Sequence, residues 1–177
     1  EVYHATVTIK NAVREGGERA KVSVASNDDS VDPVGACVGM KGSRINAVIR
    51  ELRGEKIDII QYSDDIAEYT VNALNPARIA RVLISDPVNK VLEVVVPEDQ
   101  LSLAIGKKGQ NVRLGSKLLG WEINITSEAE KKIEILDQID QMAAPTSSLS
   151  TLEGVGAKTQ SRLTEAGIES IQELSSK

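Results

Sequence analysis

Phenylalanine is absent from this 177-residue chain, and Tyr3, Tyr62, Tyr69 and Trp121 are its only aromatic side chains. So few rings exclude a nucleic-acid binder that works by stacking bases on aromatic platforms. Trp121 follows Gly120 at the entry to an expected strand and is read as a packing residue. Cysteine occurs once, at Cys37, which excludes an internal disulfide and fits a reducing, cytoplasmic setting. Histidine also occurs once, at His4, with no serine or cysteine at a spacing that would make it a general base. No apolar run approaches the roughly 18 residues a membrane-spanning helix needs. No secretory leader opens the chain, which starts in a strand-like segment over 2–9 and so reads as a fragment of a longer polypeptide.

What the chain does contain is a repeat. An offset of 67 residues carries Gly39-Met40-Lys41-Gly42 onto Gly106-Lys107-Lys108-Gly109, and with it Asp32 onto Asp99, Val34 onto Leu101, Cys37 onto Ala104 and Leu52 onto Leu119. One gap later an offset of 66 carries Gly54 onto Gly120, Ile57 onto Ile123 and Ile59 onto Ile125. A duplication this long is a supersecondary unit. The equivalence with Ala104 makes Cys37 a small buried side chain by expectation.

Each copy spells the same elements. Asp32-Pro33 is an N-cap followed by proline at the first helical position, and a short apolar helix runs to Val38. The glycines break it, after which Ile45, Val48, Ile49 and Leu52 fall at the spacing of a buried helical stripe. Gly54 ends that helix, and Ile57 and Ile59 alternate with Lys56 and Asp58 as on a strand. The second copy predicts a helix over 101–105, a loop over 106–109, a helix over 110–119 and a strand over 122–126. Two further strands precede each copy, 5–14 with 19–26 joined at Gly16-Gly17, and 81–85 with 91–96 joined through Pro87 to Lys90. Between the copies, Ser63, Asp64 and Asp65 open a helix that carries Ile66, Tyr69, Thr70, Ala73 and Leu74 and stops before Pro76.

Helix, GxxG, helix, strand, with two strands in front, resembles the bacterial-type (type II) KH domain, an RNA-binding module. The flanks narrow this further. The stretches Ser26-Asn27-Asp28, Val31 to Arg44, Glu51 to Asp58, Gln100 to Gly106 and Gly109 to Leu114 resemble the tandem KH region of the NusA family of bacterial transcription factors. The resemblance covers about residues 1–130. It implies an α+β fold with a first KH domain over 1–62 and a second over 63–128, packed as one body with both GxxG loops on one RNA surface. It also implies contacts with RNA polymerase and antitermination proteins.

Net charge is −5, which taken alone argues against nucleic acid, but its distribution does not. Residues 106–117 hold Lys107, Lys108, Arg113 and Lys117 with no acid. Residues 39–56 hold Lys41, Arg44, Arg50, Arg53 and Lys56 against Glu51 and Glu55. Beyond residue 126 there are nine acids and five bases, so the acid excess sits mostly in the tail.

That tail has its own pattern. Ser127 and Glu130 make a capping box for a helix carrying Ile135, Leu136, Ile139 and Met142, and Ala143 to Ser148 read as a linker, so 129–147 is helix and linker. Over 148–177, Ser150 and Glu153, the turn Gly154-Val155-Gly156, a helix from Ala157 to Ala166, Gly167, and Ser170 with Glu173 resemble a small helix-hairpin-helix. Glu153, Glu165, Glu169 and Glu173 would repel a phosphate backbone, which favours a protein partner for this segment.

Catalytic readings fail on spacing. Gly154 to Thr159 lacks the Gly-Lys-Thr order of a phosphate-binding loop, and Gly42 separates Lys41 from Ser43. Asp28, Asp29 and Asp32 precede a proline-started helix, where carboxylates cap free N–H groups rather than bind metal. The expected function is therefore non-catalytic binding of single-stranded RNA, with no cofactor and no metal. Two alternatives stand beside it: a KH accessory module of an RNA-processing enzyme, and a protein-interaction scaffold acting through the acidic tail. The expected RNA-binding residues are Gly39, Met40, Lys41, Gly42, Ser43 and Arg44 in the first copy. In the second they are Gly106, Lys107, Lys108, Gly109, Gln110, Asn111 and Arg113, with Asn111 bonding base or backbone. Val38, Ile45, Ile105 and Val112 are expected to form the groove floor, or simply core.

Overall fold

The computed structural model of the chain describes residues 2–143. The expected linker and helix-hairpin-helix over 144–177 lie outside the described residues.

Two three-stranded sheets, each with strand order and helices repeated, make an α+β fold. In the first, β1 (Val7–Glu15) pairs antiparallel with β2 (Arg19–Ser26), which pairs in parallel with β3 (Lys56–Gln61). Between β2 and β3 run α1 (Pro33–Val38), a short 3₁₀ turn Met40–Gly42, and α2 (Ser43–Glu51). After α3 (Ile66–Ala73) the second sheet repeats the plan with β4 (Arg81–Asp86), β5 (Val91–Val96) and β6 (Glu122–Ser127). Between β5 and β6 lie α4 (Leu101–Ile105), a 3₁₀ turn Lys107–Gly109 and α5 (Gln110–Leu119). Parallel pairing of β2 with β3 requires a crossover, and the helix pair supplies it.

The local signals act as the sequence predicts. The Asp32 carboxylate accepts from the N–H groups of Val34 and Gly35, with Pro33 opening α1. Asp65 caps α3 through the Ala67 N–H. Ser127 and Glu130 form the reciprocal box that starts α6 (Glu128–Ala143): the Ser127 N–H donates to Glu130 Oε2 at 3.0 Å and the Glu130 N–H to Ser127 Oγ at 3.2 Å.

Residues up to Lys131 form one compact body, so the two repeat units are packed together. In the second unit Leu74, Ala77, Val94, Val96, Ala104 and Ile123 make the core. In the first unit both faces of the sheet are used. One face, with Val22, Ile57 and Ile59, lies under α1 and α2. The other meets α3 and α5, where Ile60, Tyr69, Ala73 and Leu118 are buried together. This second use explains a buried lysine. Lys21 is wholly inaccessible, and its ammonium donates to the Ala73 carbonyl at 2.7 Å and lies 3.3 Å from Asp58. A cation at the end of α3 meets the negative pole of that helix. Burial still pushes the Lys21 amine below its ordinary pKa, with Asp58 acting against the shift.

Cys37 departs from its expected place. Ala104 is fully buried, whereas Cys37 is half-buried along an open apolar groove with Ala36, Ile45, Val48 and Ile57. In the second unit Leu74 and Ala77, from the segment after α3, join the equivalent packing against the sheet and helices and close it.

Candidate nucleic-acid interface

The two GxxG loops are one structure built twice. Gly39 and Gly106 have φ, ψ of 73°, 171° and 75°, 171°; Lys41 and Lys108 have 52°, 30° and 54°, 30°; Gly42 and Gly109 have 77°, 15° and 70°, 16°. Three residues out of four have positive φ. The first is in a region open essentially to glycine alone, and the lysine accepts the left-handed conformation that a non-glycine residue rarely takes.

The first glycine of each loop is required by packing as well as by its backbone angles. A Cβ added at Gly106 would lie 2.7 Å from Asn111 Cβ and 2.9 Å from the Asn111 backbone nitrogen. At Gly39 it would lie 2.7 Å from Arg44 Cγ. The tight turn therefore lets the loop sit against the helix that follows it. Glycine N–H groups are largely engaged inside this turn: Gly39 donates to the Gly35 carbonyl, Gly42 to Gly39, Gly106 to Ser102 and Gly109 to Gly106. What the loops present outward is side-chain charge. Lys41, Lys107 and Lys108 are exposed, and Met40 is 83% exposed beside Lys41. Each loop leads directly into the N-terminus of a helix of nine or ten residues, so its cations share that end with the positive pole of the helix dipole. Ser43 and Arg44 are exposed at the first turn of α2, and Arg44 also donates to the Ala36 carbonyl at 2.6 Å.

Three of the expected RNA contacts in the second copy have structural partners. Asn111 is only 2% exposed, and its Nδ2 donates to the carbonyls of Leu74 and Ala104 at 3.1 Å each and of Leu103 at 3.4 Å. This corrects the expectation that Asn111 bonds base or backbone of RNA: it pins the ends of α3 and α4 to α5. Gln110 Nε2 donates to Glu15 Oε2 at 2.9 Å and to Glu18 Oε2 at 2.7 Å. Arg113 grips Glu15 through Nε at 2.6 Å and through its second fork nitrogen at 3.1 Å, and it donates to the Lys108 carbonyl at 3.0 Å. The hydrogen bonds from Arg113, and then from Gln110, hold the Glu15 carboxyl down at about 2. Glu15 and Glu18 flank the β1–β2 turn of the first unit. Sequence reasoning passed over them, although two acids in a turn opposite a lysine-rich loop carry a signal of complementary charge.

Of the groove residues, Val38, Ile45 and Val112 are half-buried and Ile105 is 36% exposed at the end of α4, so only Ile105 stands clearly at the surface. Among the described residues no group of three or more histidine, cysteine or acidic side chains is placed to hold a metal ion. No helix among them is long and apolar enough to cross a membrane.

Comparison with known proteins finds two matching family models. A family model described as the NusA-like first KH domain matches residues 1–62, and one described as the NusA-like second KH domain matches residues 66–133. The chain is 52% identical over 130 residues to a transcription termination/antitermination protein NusA of Halalkalibacterium halodurans, covering 73% of this chain and 34% of that protein. It is 50% identical over 132 residues to the Bacillus subtilis protein of the same name, covering 75% and 35%. With that of Rickettsia conorii the match is 41% over 180 residues, covering 99% of this chain and 35% of the relative. The chain thus spans about a third of the length of these curated relatives. Among solved structures, the crystal structure of a protein named APE1850 is similar with a TM-score of 0.52 and 25% identity, covering 72% of this chain and 91% of that one.

Proposed function

The chain belongs to the NusA family through its tandem KH domains, and from this premise we propose that it is a non-catalytic RNA-binding segment that grips single-stranded RNA at both GxxG loops. On this reading the RNA is the nascent transcript, bound by a longer protein that carries the segment. Binding there biases RNA polymerase toward pausing, termination or antitermination, with polymerase and antitermination proteins as partners. The observation that carries this reading is the duplicated loop, in which an exposed lysine is held at positive φ directly before a helix N-terminus in both copies. A plain turn has no need of the same charge in the same unusual conformation twice.

The mechanism is electrostatic and geometric. Lys41, Lys107 and Lys108 neutralise phosphates, assisted by Arg44, while Gly39 and Gly106 keep the loop flat against the helix so that the sugar-phosphate backbone can approach. Met40 and Ile105 offer apolar surface to bases, in keeping with a chain almost without aromatic rings. With about four phosphates neutralised, affinity falls on the order of 50-fold between 50 and 200 mM salt at a slope of about −0.7 per contact.

The deciding experiment is binding of short single-stranded RNAs by the intact chain and by a variant in which Met40, Lys41, Lys107 and Lys108 are all changed to Asp. Loss of binding with the circular dichroism spectrum retained supports RNA at both loops. Equal binding by the two proteins, or affinity that ignores salt, refutes it.

A further inference from the structure

The second GxxG loop carries a connection built from two residues, Gln110 and Arg113, that the first copy replaces. Arg113 holds the Lys108 carbonyl with one nitrogen while its other two donors grip Glu15, on the last turn-facing residue of β1. Gln110, the first residue of α5, adds donors to Glu15 and Glu18. The offset of the repeat places Asn46 where Arg113 stands and Ser43 where Gln110 stands. Neither of these short side chains has the reach or the fork of its counterpart. The loop of the second KH unit is therefore tied to the β1–β2 turn of the first unit by a bidentate, charge-assisted bridge.

We propose that Glu15, with Gln110 and Arg113, is a positioning latch that fixes the second GxxG loop relative to the first KH unit, so that one RNA strand can engage both loops at once. The inference rests on the RNA-binding reading above, and it assigns to Glu15 a role that no contact with RNA would give it. Elsewhere the two units are joined by the apolar cluster of Ile60, Tyr69, Ala73 and Leu118, by Lys21 on the Ala73 carbonyl, and by Asn11 donating to the Leu118 carbonyl at 2.8 Å. Those contacts hold the middle and far end of α3 and α5. Among the described residues, the bidentate Glu15 bridge, with the Gln110–Glu18 bond beside it, acts at the loop end of α5, where a small rotation moves Lys107 and Lys108 most. Two linked sites gain affinity for a bridging ligand only while their separation matches it, so loosening this end costs affinity for long RNA and not for short.

The test is Glu15→Ala in the full chain, titrated with a pentanucleotide that one KH unit can clamp and with a decanucleotide long enough to bridge both. The latch predicts pentamer affinity within about twofold of the unaltered protein and decamer affinity lowered by about tenfold, an avidity loss. If Glu15 instead only competes with phosphate for Arg113, the substitution strengthens both complexes, and the proposal is overturned. A second measurement does not involve RNA. Nitroxide labels on Glu51→Cys and Glu122→Cys in a Cys37→Ala background report the separation of the two units by electron-electron double resonance, and the latch predicts a broader distance distribution after Glu15→Ala. An unchanged distribution with unchanged decamer affinity also overturns it. Should the unaltered protein bind neither RNA, the functional reading falls, while the label distances still decide whether the latch exists.

Discussion

Alanine at Gly106 tests the physical account of the loops most directly. The residue sits at φ 75°, ψ 171°, a conformation that costs a residue with a Cβ on the order of 1–3 kcal/mol. The added Cβ would also stand 2.9 Å from the Asn111 backbone nitrogen and 2.7 Å from Asn111 Cβ. Asn111 cannot yield, because it is buried and its amide is bonded to the carbonyls of Leu74 and Ala104. Overpacking against fixed atoms adds about 1–3 kcal/mol, so Gly106→Ala should destabilise by about 2–6 kcal/mol. Two reference substitutions separate the terms. Gly39 has the same backbone angles, and its Cβ would meet Arg44 Cγ at 2.7 Å, Ser43 Oγ at 3.0 Å and Arg44 Cβ at 3.1 Å, contacts with side chains of an exposed first turn and with no backbone atom among them, so Gly39→Ala should cost somewhat less, about 2–4 kcal/mol. Gly120 is left-handed at φ 68°, ψ 28° with nothing within 4 Å, so Gly120→Ala should show the left-handed cost alone, about 1 kcal/mol. Urea unfolding followed by circular dichroism reads all three. With a slope of about 1.5 kcal/mol/M the midpoints should fall by roughly 1–4 M, 1–3 M and 0.7 M respectively. If Gly106→Ala proves no more costly than Gly39→Ala, contact with Asn111 does not restrict this loop and the argument fails.

Asn111→Leu removes donors from buried carbonyls and should destabilise by about 2–4 kcal/mol in the same assay. Asn124→Leu, on the exposed side of β6, should stay within about 0.5 kcal/mol. The Glu15 carboxyl titrates at about 2 in the folded protein against an ordinary 4.5. Between those values the unfolded chain binds the extra proton, so stability rises with pH through this window. The Glu15 contribution is fully present above about 4.5 and is lost as pH falls toward 2. Glu15→Gln should therefore lower the urea midpoint at pH 5 and converge on the unaltered protein as pH approaches 2. A difference that stays constant across that range would show that the carboxylate is not the group responsible.

Much of this architecture is legible in the chain because its signals are local. Asp32-Pro33, Asp65 and the Ser127/Glu130 box set helix starts through bonds spanning two or three residues, and Gly39, Gly42, Gly106 and Gly109 mark the turns because few other residues reach those angles. The β2 and β5 strands run over the expected segments 19–26 and 91–96. The repeat then multiplied each weak signal by two.

The misreadings share a cause. Asn111 follows a basic loop in sequence, so proximity suggested RNA, but a helix turns successive residues about 100° apart and sends neighbours such as Asn111 and Arg113 to different surroundings. Asn111 faces inward to α3 and α4, and Arg113 reaches across to a turn 98 residues away. Lys21 and Cys37 invert ordinary expectation for the same reason: α3 and α5 cover one face of the first sheet and bury a lysine, while the groove on the other face leaves a cysteine half-open. The sequence alone determined the KH fold, its duplication and the place of both loops, since these depend on caps, glycines and periodicity within short segments. Which loop residues are available to a ligand, and which hold the two units in register, was decided only by tertiary structure, because a side chain's partners depend on what packs against it from distant parts of the chain.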